Sequence, residues 1–589
     1  MINNYGWKGT FKEFSDINND SLVNQLCLQI YNQTTQEALT NPTEESAPLQ
    51  IRAWYDCIQY LKEEILFFVH LPGFLIFEYE MVRSGGKRPD VLIFLPGEVL
   101  VLEFKSYLSV HDAEYTQTSL YIRDLQEYHS AIQNYSFHVR GALVVTKENK
   151  TFDPIPKYQI YKLGRGGLKH LIGMIEKRMA NAPLISDQKF LEGVFQPLPS
   201  IIESARAIMR EEPLPQIKTL KSSNFDFVVK EVKSIVEMAK KNQTHHLVLV
   251  SGVPGAGKTF VGLTLAHDIE KAVYLSGNGP LVDVLQDSLK NKTFVQALYG
   301  YKNDFLKYRK VPEEQVIIFD EAQRAWDANR MKGNQSEPDI IIQIAKHKTW
   351  SVVVGLIGEG QEIHLGEEGG IGLWNTAIHG ENILVHAKHH QSIFPNALQY
   401  HENKNLYLNT SLRTHKALKY FEWVESFING DFGKCKIIAD QLINERFMLK
   451  VVNNLDEAKT YVQKLYEGTD KTYGIVISSG IQYPKDVKVI PFSQRYVNPK
   501  PHVAYFNYPD SNYHCKNLEY AATEFHVQGL ELDMAIIYWG EDMQWSDSGW
   551  KFKHLKDDTE DPYQMKLNAY RVLLTRGRDG VVICRNNNF

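Results

Sequence analysis

Two stretches of this sequence concentrate residues suited to phosphate chemistry. The first is Gly252-Val-Pro-Gly-Ala-Gly-Lys258-Thr259, a GxxxxGK[ST] pattern. Its glycines, Gly252, Gly255 and Gly257, let backbone N–H groups close around phosphate oxygens, and a following helix adds the positive end of its dipole. Lys258 is placed to reach the β- and γ-phosphates, and Thr259 offers a hydroxyl to Mg²⁺. Downstream, Val316-Ile-Ile-Phe-Asp320-Glu321-Ala322-Gln323 carries Asp320 to the carboxyl end of an apolar strand. Open α/β sheets present ligands at that edge. Asp320 is expected to hold Mg²⁺ through water, and Glu321 to orient and deprotonate an attacking water. The adjacent Glu implies hydrolysis of the nucleotide, and no phosphoacceptor site speaks for a kinase.

The second stretch pairs Pro89-Asp90 with Glu103-Phe-Lys105. Alternation places Glu103 and Lys105 on one face of their strand. If DVLIFL and EVLVLEFK pair as a hairpin around Pro96-Gly97, Asp90 and Glu103 fall near the same end. Two carboxylates there can bind Mg²⁺ or Mn²⁺, which polarises a phosphodiester and acidifies a bound water. Lys105 then positions that water or stabilises the phosphorane. Such short patterns also arise by chance as solvent-facing charges. These lie among Val, Leu, Ile and Phe, where unpaired charge is costly.

The elements that must hold these residues follow from hydrophobic patterning. The run HLVLVS precedes the glycine loop and a helical stretch, FVGLTLAHDIEK, follows it. AVYLSG, VIIFDEA, SVVVGLIG, YGIVIS and MAIIYWG alternate with further helical stretches, the pattern of parallel α/β sheets. This region is too long for one sheet, so two lobes are expected, residues 216–405 and 406–589. Ahead of them, residues 1–215 show a helix (IRAWYDCIQYLKEEILFFV), three strands (FLIFEYEMVR, DVLIFL, EVLVLEFK), a polar helix around Leu120–Tyr135 and a strand GALVVT. They predict a smaller α/β or α+β domain, ending in a Pro-bearing linker from Arg210.

Composition sets the limits. The chain has 589 residues, 43% hydrophobic and 23% charged, which excludes a disordered or collagen-like protein. The 5 Cys are odd in number and widely spaced, so neither a disulfide framework nor a Cys-type zinc site is expected. No apolar run approaches the ~18 residues of a membrane helix and no secretory signal is visible, so no membrane is expected and a reducing cytoplasm is the expected compartment. The net charge of −5 gives no bulk attraction to nucleic acid and leaves a local basic groove open. His386, His389 and His390 lack acids or Cys at metal-ligand spacing, and Trp374 suits either a stacked base or a core.

Asp320-Glu321-Ala322-Gln323 is similar to the Walker B variant of superfamily 1 and 2 helicases. Gly358-Glu-Gly-Gln361 resembles their motif III, with Glu359 where the family has Asp; Gln361 then senses the γ-phosphate. Leu408-Asn-Thr-Ser-Leu-Arg413 resembles motif IV, with Arg413 at the γ-phosphate, and SGNGPLV from Ser276 sits where motif Ia touches the strand backbone. His526-Val-Gln-Gly529-Leu-Glu531 resembles motif V, and Thr575-Arg576-Gly-Arg578 motif VI, with Arg576 as arginine finger. No glutamine that would read adenine is obvious before the glycine loop. In order and spacing the blocks resemble the Schlafen group-3-like helicase domain.

The Pro-Asp and Glu-x-Lys pair resembles the PD-(D/E)xK nucleases. Asp124-Leu-Gln126-Glu-Tyr128-His129 is similar to an accessory Gln/Tyr helix of some of them, and Glu64 and Glu80 are candidates for an additional acid. The resemblance implies an α/β chain: an N-terminal PD-(D/E)xK-like nuclease domain followed by two RecA-like parallel-sheet lobes. Its cofactors are ATP and Mg²⁺ or Mn²⁺, and its partner is DNA, with RNA and a homo-oligomer left open. The arrangement resembles bacterial nuclease–helicase immunity enzymes that degrade phage DNA. The alternatives are a motor with an inactive nuclease-like binding domain, and an ATP-gated nucleic-acid sensor that does not unwind.

Overall fold

The computed structural model describes residues 4–82, 84–135, 137–178, 182–197, 199–210, 224–252, 256–331, 334–358, 370–409, 417–481, 487–491, 497–555 and 561–585. The chain divides into two compact units. One comprises Met1–Pro197, Ile443–Arg446 and Thr460–Lys471; the other comprises Leu198–Leu442, Phe447–Lys459 and Thr472–Phe589.

The first unit is built on strands β1 (Trp7–Thr10), β2 (Phe74–Phe77), β3 (Val91–Leu95), β4 (Glu98–Lys105), β5 (His138–Asn149), β6 (Phe152–Ile155) and β7 (Ile160–Arg165), in the order β1-β2-β3-β4-β5-β7-β6. The pairs from β1 to β4 are antiparallel, while β4–β5 and β5–β7 are parallel. Alternation along the central strands feeds two cores. Leu75, Phe77, Ile93 and Leu102 pack with Ile58 and Leu61 of the helix Ala47–Ile65. Ile76, Leu92, Phe94 and Val101 pack with Tyr121, Ile122 and Leu125 of the helix Asp112–Tyr128. Burial on both faces explains why these strands look continuously apolar in sequence. The β3–β4 turn is Pro96-Gly97, where Gly97 takes a φ of +76° that L side chains rarely adopt.

Two expectations shift. The strand expected over FLIFEYEMVR stops at Phe77, because Glu78 adopts φ +51°. The polar helix starts earlier than expected, at Asp112, and a second one, Ser130–Tyr135, follows it.

The second unit carries two all-parallel sheets. The first contains β8 (His245–Gly252), β9 (Ala272–Ser276), β10 (Val295–Ala297), β11 (Val316–Asp320), β12 (Ser351–Ile357), β13 (Ile383–Ala387), β14 (Gln399–Glu402) and β15 (Tyr407–Leu408). Their order is β10-β9-β11-β12-β8-β13-β14, with β15 against the end of β8. The second contains β16 (Met448–Val452), β17 (Tyr473–Ile477), β18 (Lys488–Val489), β19 (Tyr520–Thr523), β20 (Leu532–Trp539) and β23 (Gly577–Arg585), ordered β16-β23-β20-β17-β19-β18. A hairpin of β21 (Met543–Ser546) and β22 (Gly549–Phe552) stands apart from it.

Both boundaries expected from composition move. The helix Ile201–Met209 lies inside 1–215, yet its Ala205 and Ile208 pack with Val228, Phe260 and Val282 of the first lobe. The first unit therefore ends at Pro197. Residues 211–223 of the expected linker lie outside the described residues. At the other boundary, β15 runs past 405 and still belongs to the first sheet.

Candidate functional site

In the second unit, β8 delivers Gly252 and the helix Lys258–Asp268 begins at Gly257, which caps it with φ +83°. Gly255 lies outside the described residues. The Lys258 ammonium donates to the Gly252 carbonyl, 3.1 Å away, so it lies across the mouth of the loop. Asp320 ends β11 and is 3% exposed. Tyr274 of β9, which sequence reasoning missed, donates its hydroxyl to Asp320 Oδ2. One phenol thus fixes the carboxylate expected to hold Mg²⁺. Burial and the neighbouring Glu321 charge push Asp320 up to about 7. A divalent cation suits that site, since it would offset the cost of the buried charge.

Glu321 sits at φ +52°, a region that bulky L residues rarely occupy. Gln323 Nε2 donates to Glu321 Oε2 at 2.6 Å, and Gln323 Oε1 accepts the Gly358 N–H at 2.9 Å. Gln323 thereby fixes the acid's direction and ties it to the residue after β12. Trp374 is fully buried and donates its indole N–H to the Ala322 carbonyl at 2.7 Å, which makes it a core residue that braces the same turn. Gln361 and Arg413 lie outside the described residues.

The second lobe reaches this edge through two segments. Asn278 Nδ2 donates to the Gln528 carbonyl at 2.5 Å, and Gly529, at φ +76°, packs against Leu281. Lys500 bonds both Asp283 oxygens at 2.7 Å, while Asn507 and Tyr508 donate to Asp287 at 2.9 and 2.8 Å. Arg576 is 3% exposed. Its Nε and Nη1 donate to the carbonyls of Val572, Val527 and Leu530 at 2.8, 3.2 and 3.1 Å. The expected arginine finger is thus engaged with backbone on both sides of Gln528-Gly529. Glu531 faces Arg578 at 3.7 Å, beside Asp533 at 3.8 Å.

In the first unit, the β3–β4 register pairs Val91 with Leu102, which sets Asp90 opposite Glu103. Each holds the other's strand: the Asp90 N–H donates to Glu103 Oε1 at 3.3 Å and the Phe104 N–H to Asp90 Oδ2 at 2.7 Å. Lys105 Nζ is 3.9 Å from Glu103 Oε2. Burial pushes both carboxyls up, Glu103 well above its usual range with Asp90's charge adding to it; Lys105 opposes the shift in each.

The further carboxyl that feels the Asp90 charge most directly is Glu78; Glu64 and Glu80, the expected candidates, are engaged elsewhere. Burial first, then Asp90, raises Glu78 to about 8. Its Oε1 accepts from Trp54 Nε1 at 2.7 Å and from Gln50 at 3.1 Å. Glu64 instead accepts the N–H groups of Gly166 and Lys169 at a helix start, and Glu80 pairs with Arg88 at 2.9 Å. Besides Gln126 and Tyr128, the same helix carries a second Gln and Tyr. Gln117 Nε2 bonds the hydroxyl of Tyr121 at 3.2 Å, and Tyr121 feels the charges of Glu103 and Asp90. Asp124 forms a buried ion pair with Lys87 at 2.8 Å.

Among the described residues no group of three or more His, Cys, Asp or Glu side chains could together hold a metal ion. The donor set of Asp90 and Glu103 still fits Mg²⁺, which takes one or two carboxylates and keeps several waters. The excess of buried carboxylate over the single Lys105 ammonium favours a cation there.

Fold and geometry define a two-lobed α/β protein with a phosphate loop and an acid pair at the carboxyl edge of its first parallel sheet. Residues 245–586 match the model of the Schlafen group 3, DNA/RNA helicase domain; this is more than half of the chain, which belongs to that family. Among solved structures, the chain is similar to the Pif1 helicase from Bacteroides, in complex with ADP-AlF3 and ssDNA (9% identity, TM-score 0.27, 60% of this chain and 91% of that one). It is also similar to arterivirus nonstructural protein 10, a helicase (11%, 0.20, 59% and 62%), and to the helicase domain of Hef from Pyrococcus furiosus (12%, 0.21, 61% and 95%). No curated protein matches it.

Proposed function

We propose that this chain is an ATP-driven nucleic-acid motor joined to a divalent-metal-dependent nuclease. The motor rests on membership of a helicase-domain family and on one arrangement: Lys258 at the loop, Asp320 and Glu321 at the sheet edge, and Gln323 holding Glu321. The loop and Lys258 would hold the phosphates of ATP, Thr259 and Asp320 would hold Mg²⁺, and Glu321 would take the proton of the attacking water. Gln361 and Arg413 are assigned to the γ-phosphate, Arg576 to the transition state on lobe closure, and Gly529 and Glu531 to the second lobe's side of the cleft.

The nuclease rests on Asp90 standing opposite Glu103 with Lys105 on the same face. A bound Mg²⁺ or Mn²⁺ would supply Lewis acidity and a more acidic water. Asp90 and Glu103 would hold it, Lys105 would neutralise developing charge, and Gln117 and Tyr121 would border the substrate. The substrate is DNA, and the two activities in one chain suit destruction of foreign DNA; that role is supported by the resemblance to immunity enzymes alone.

The test is cleavage of labelled single- and double-stranded DNA with Mg²⁺ or Mn²⁺, with and without ATP. Asp90→Ala is expected to abolish cutting, and Lys258→Ala to alter only its ATP dependence. A wild type that never cuts while its ATP turnover rises with DNA would make the first unit a binding module.

A further inference from the structure

Beside the acid pair of the second unit lies a cleft whose walls include Ser276, Asn278, Arg324, Trp326, Glu337 and Gly529. None of the helicase-like motifs accounts for Trp326. It lies past Gln323, after the turn that leaves β11, and is half-buried. Its backbone is clamped from both sides: its N–H donates to Glu337 Oε2 at 2.9 Å, and its carbonyl accepts the Glu337 N–H at 2.9 Å. Glu337 is in turn held by Lys302, which is 2% exposed and donates to Oε1. A buried ion pair is costly to install; this one fixes a Trp at the wall of an open cleft. The indole also carries two cations, with Lys302 Nζ 5.4 Å and exposed Arg330 Cζ 4.9 Å from its ring centre.

We propose that Trp326 is a nucleobase-stacking residue, on which a base of single-stranded DNA lies once the exposed Arg330 guanidinium leaves the ring for the strand's backbone. The inference rests on the motor reading and adds to it the residue that grips the strand. A fixed aromatic face with adjacent cations is the combination that binds a single strand regardless of sequence. Gly277 also lines the cleft, and a Cβ placed on it would meet nothing within 4 Å, so the space beside that residue is open. Asn278 and Ser276 add polar groups beside it. The turn bearing Trp326 continues from Glu321 and Gln323, so a stacked base would bear on the segment that holds the hydrolytic acid.

The test uses the full chain, fluorescein-labelled oligo(dT), and the same oligonucleotide with abasic sites in place of the bases. Trp326→Ala is expected to weaken binding of intact oligo(dT) about 5- to 150-fold, the range for one lost base stack, while Trp326→Phe retains most of the affinity. The variant should not distinguish the intact from the abasic strand at that step, whereas the wild type should. Circular dichroism and the thermal midpoint of both variants establish that they are folded. Wild-type affinity in Trp326→Ala, or equal losses on intact and abasic strands, overturns the stacking role and leaves the motor reading standing. A wild type that binds no strand overturns both.

Discussion

Replacing Glu78 with Gln should stabilise the first unit above neutral pH, against the usual expectation for a buried position. Glu78 and Glu103 are buried and Asp90 is half-buried beside them; Lys105 opposes the charge of Asp90 and Glu103, and Arg88 that of Glu78. Burial, then Asp90, raises Glu78 from an ordinary 4.5 to about 8. A carboxyl with a raised folded-state pKa stabilises the fold fully below its unfolded pKa, and that contribution is lost as pH climbs towards the folded value. By linkage, Glu78 alone removes about 2–3 kcal/mol of stability between pH 5 and 7, and about 5 kcal/mol once fully ionised. For a unit of this size that corresponds to roughly 5–10 °C in thermal midpoint over pH 5–7. Gln at this position keeps an oxygen to accept from Trp54 and Gln50 and has no proton to lose. The assay is the thermal midpoint of wild type and Glu78→Gln from pH 5 to 9 in EDTA, following the first unit's transition. The variant's midpoint should be flatter with pH and should exceed the wild type's at pH 8. A variant less stable than wild type at pH 8, with an unchanged pH slope, would refute the reasoning.

The same electrostatics predict that millimolar Mg²⁺ raises the wild-type midpoint of this unit but not that of the double variant Asp90→Asn with Glu103→Gln, measured by the same melts. Gln323→Ala should lower kcat for ATP about 10- to 100-fold with little change in KM, because it misdirects Glu321 without touching the phosphate loop; an unchanged kcat would remove Gln323 from the site. His246 and His386, hydrogen-bonded at 2.8 Å, are held down to about 4 and about 3 by burial first, with His401 and His245 adding to the first and His246 and His401 to the second. They take up protons only on unfolding, so the first lobe should lose stability as pH falls below about 6.5; His386→Phe should flatten that loss in acid melts.

Much of this site is visible in the residue pattern because its geometry is local. A two-residue turn at Pro96-Gly97 fixes the β3–β4 register, and the register alone sets Asp90 against Glu103. The glycine loop and the apolar run into Asp320 likewise carry their own positions. What escaped depends on backbone that side-chain pattern does not reveal. Glu78 and Glu80 share one alternation in FLIFEYE, and only the left-handed turn at Glu78 sends the first inward and leaves the second beside Arg88. Gln117 and Tyr121 stand at i, i+4, a visible spacing. Which face they take follows from where the helix begins, and that start is set by the reciprocal bonds of His111 and Glu114. The small apolar face of the helix Ile201–Met209 fits either core by pattern, and only its packing on Val228, Phe260 and Val282 places it with the second unit.

The backbone partners of Arg576 bear on how nucleotide and strand communicate. The guanidinium accepts no proton and donates to carbonyls at Val527 and Leu530, while the carbonyl of Gln528, between them, takes the amide of Asn278. One short loop is therefore gripped from one side by the residue assigned to the transition state and from the other by a wall of the cleft. An Arg576 that swings to a γ-phosphate must release those carbonyls, and the loop then loses its restraint on the second-lobe side. Asp283 and Asp287 bind Lys500, Asn507 and Tyr508 to the first lobe at a separate place. On the motor reading, closure would pivot at this polar seam and change the width of the cleft beside Trp326.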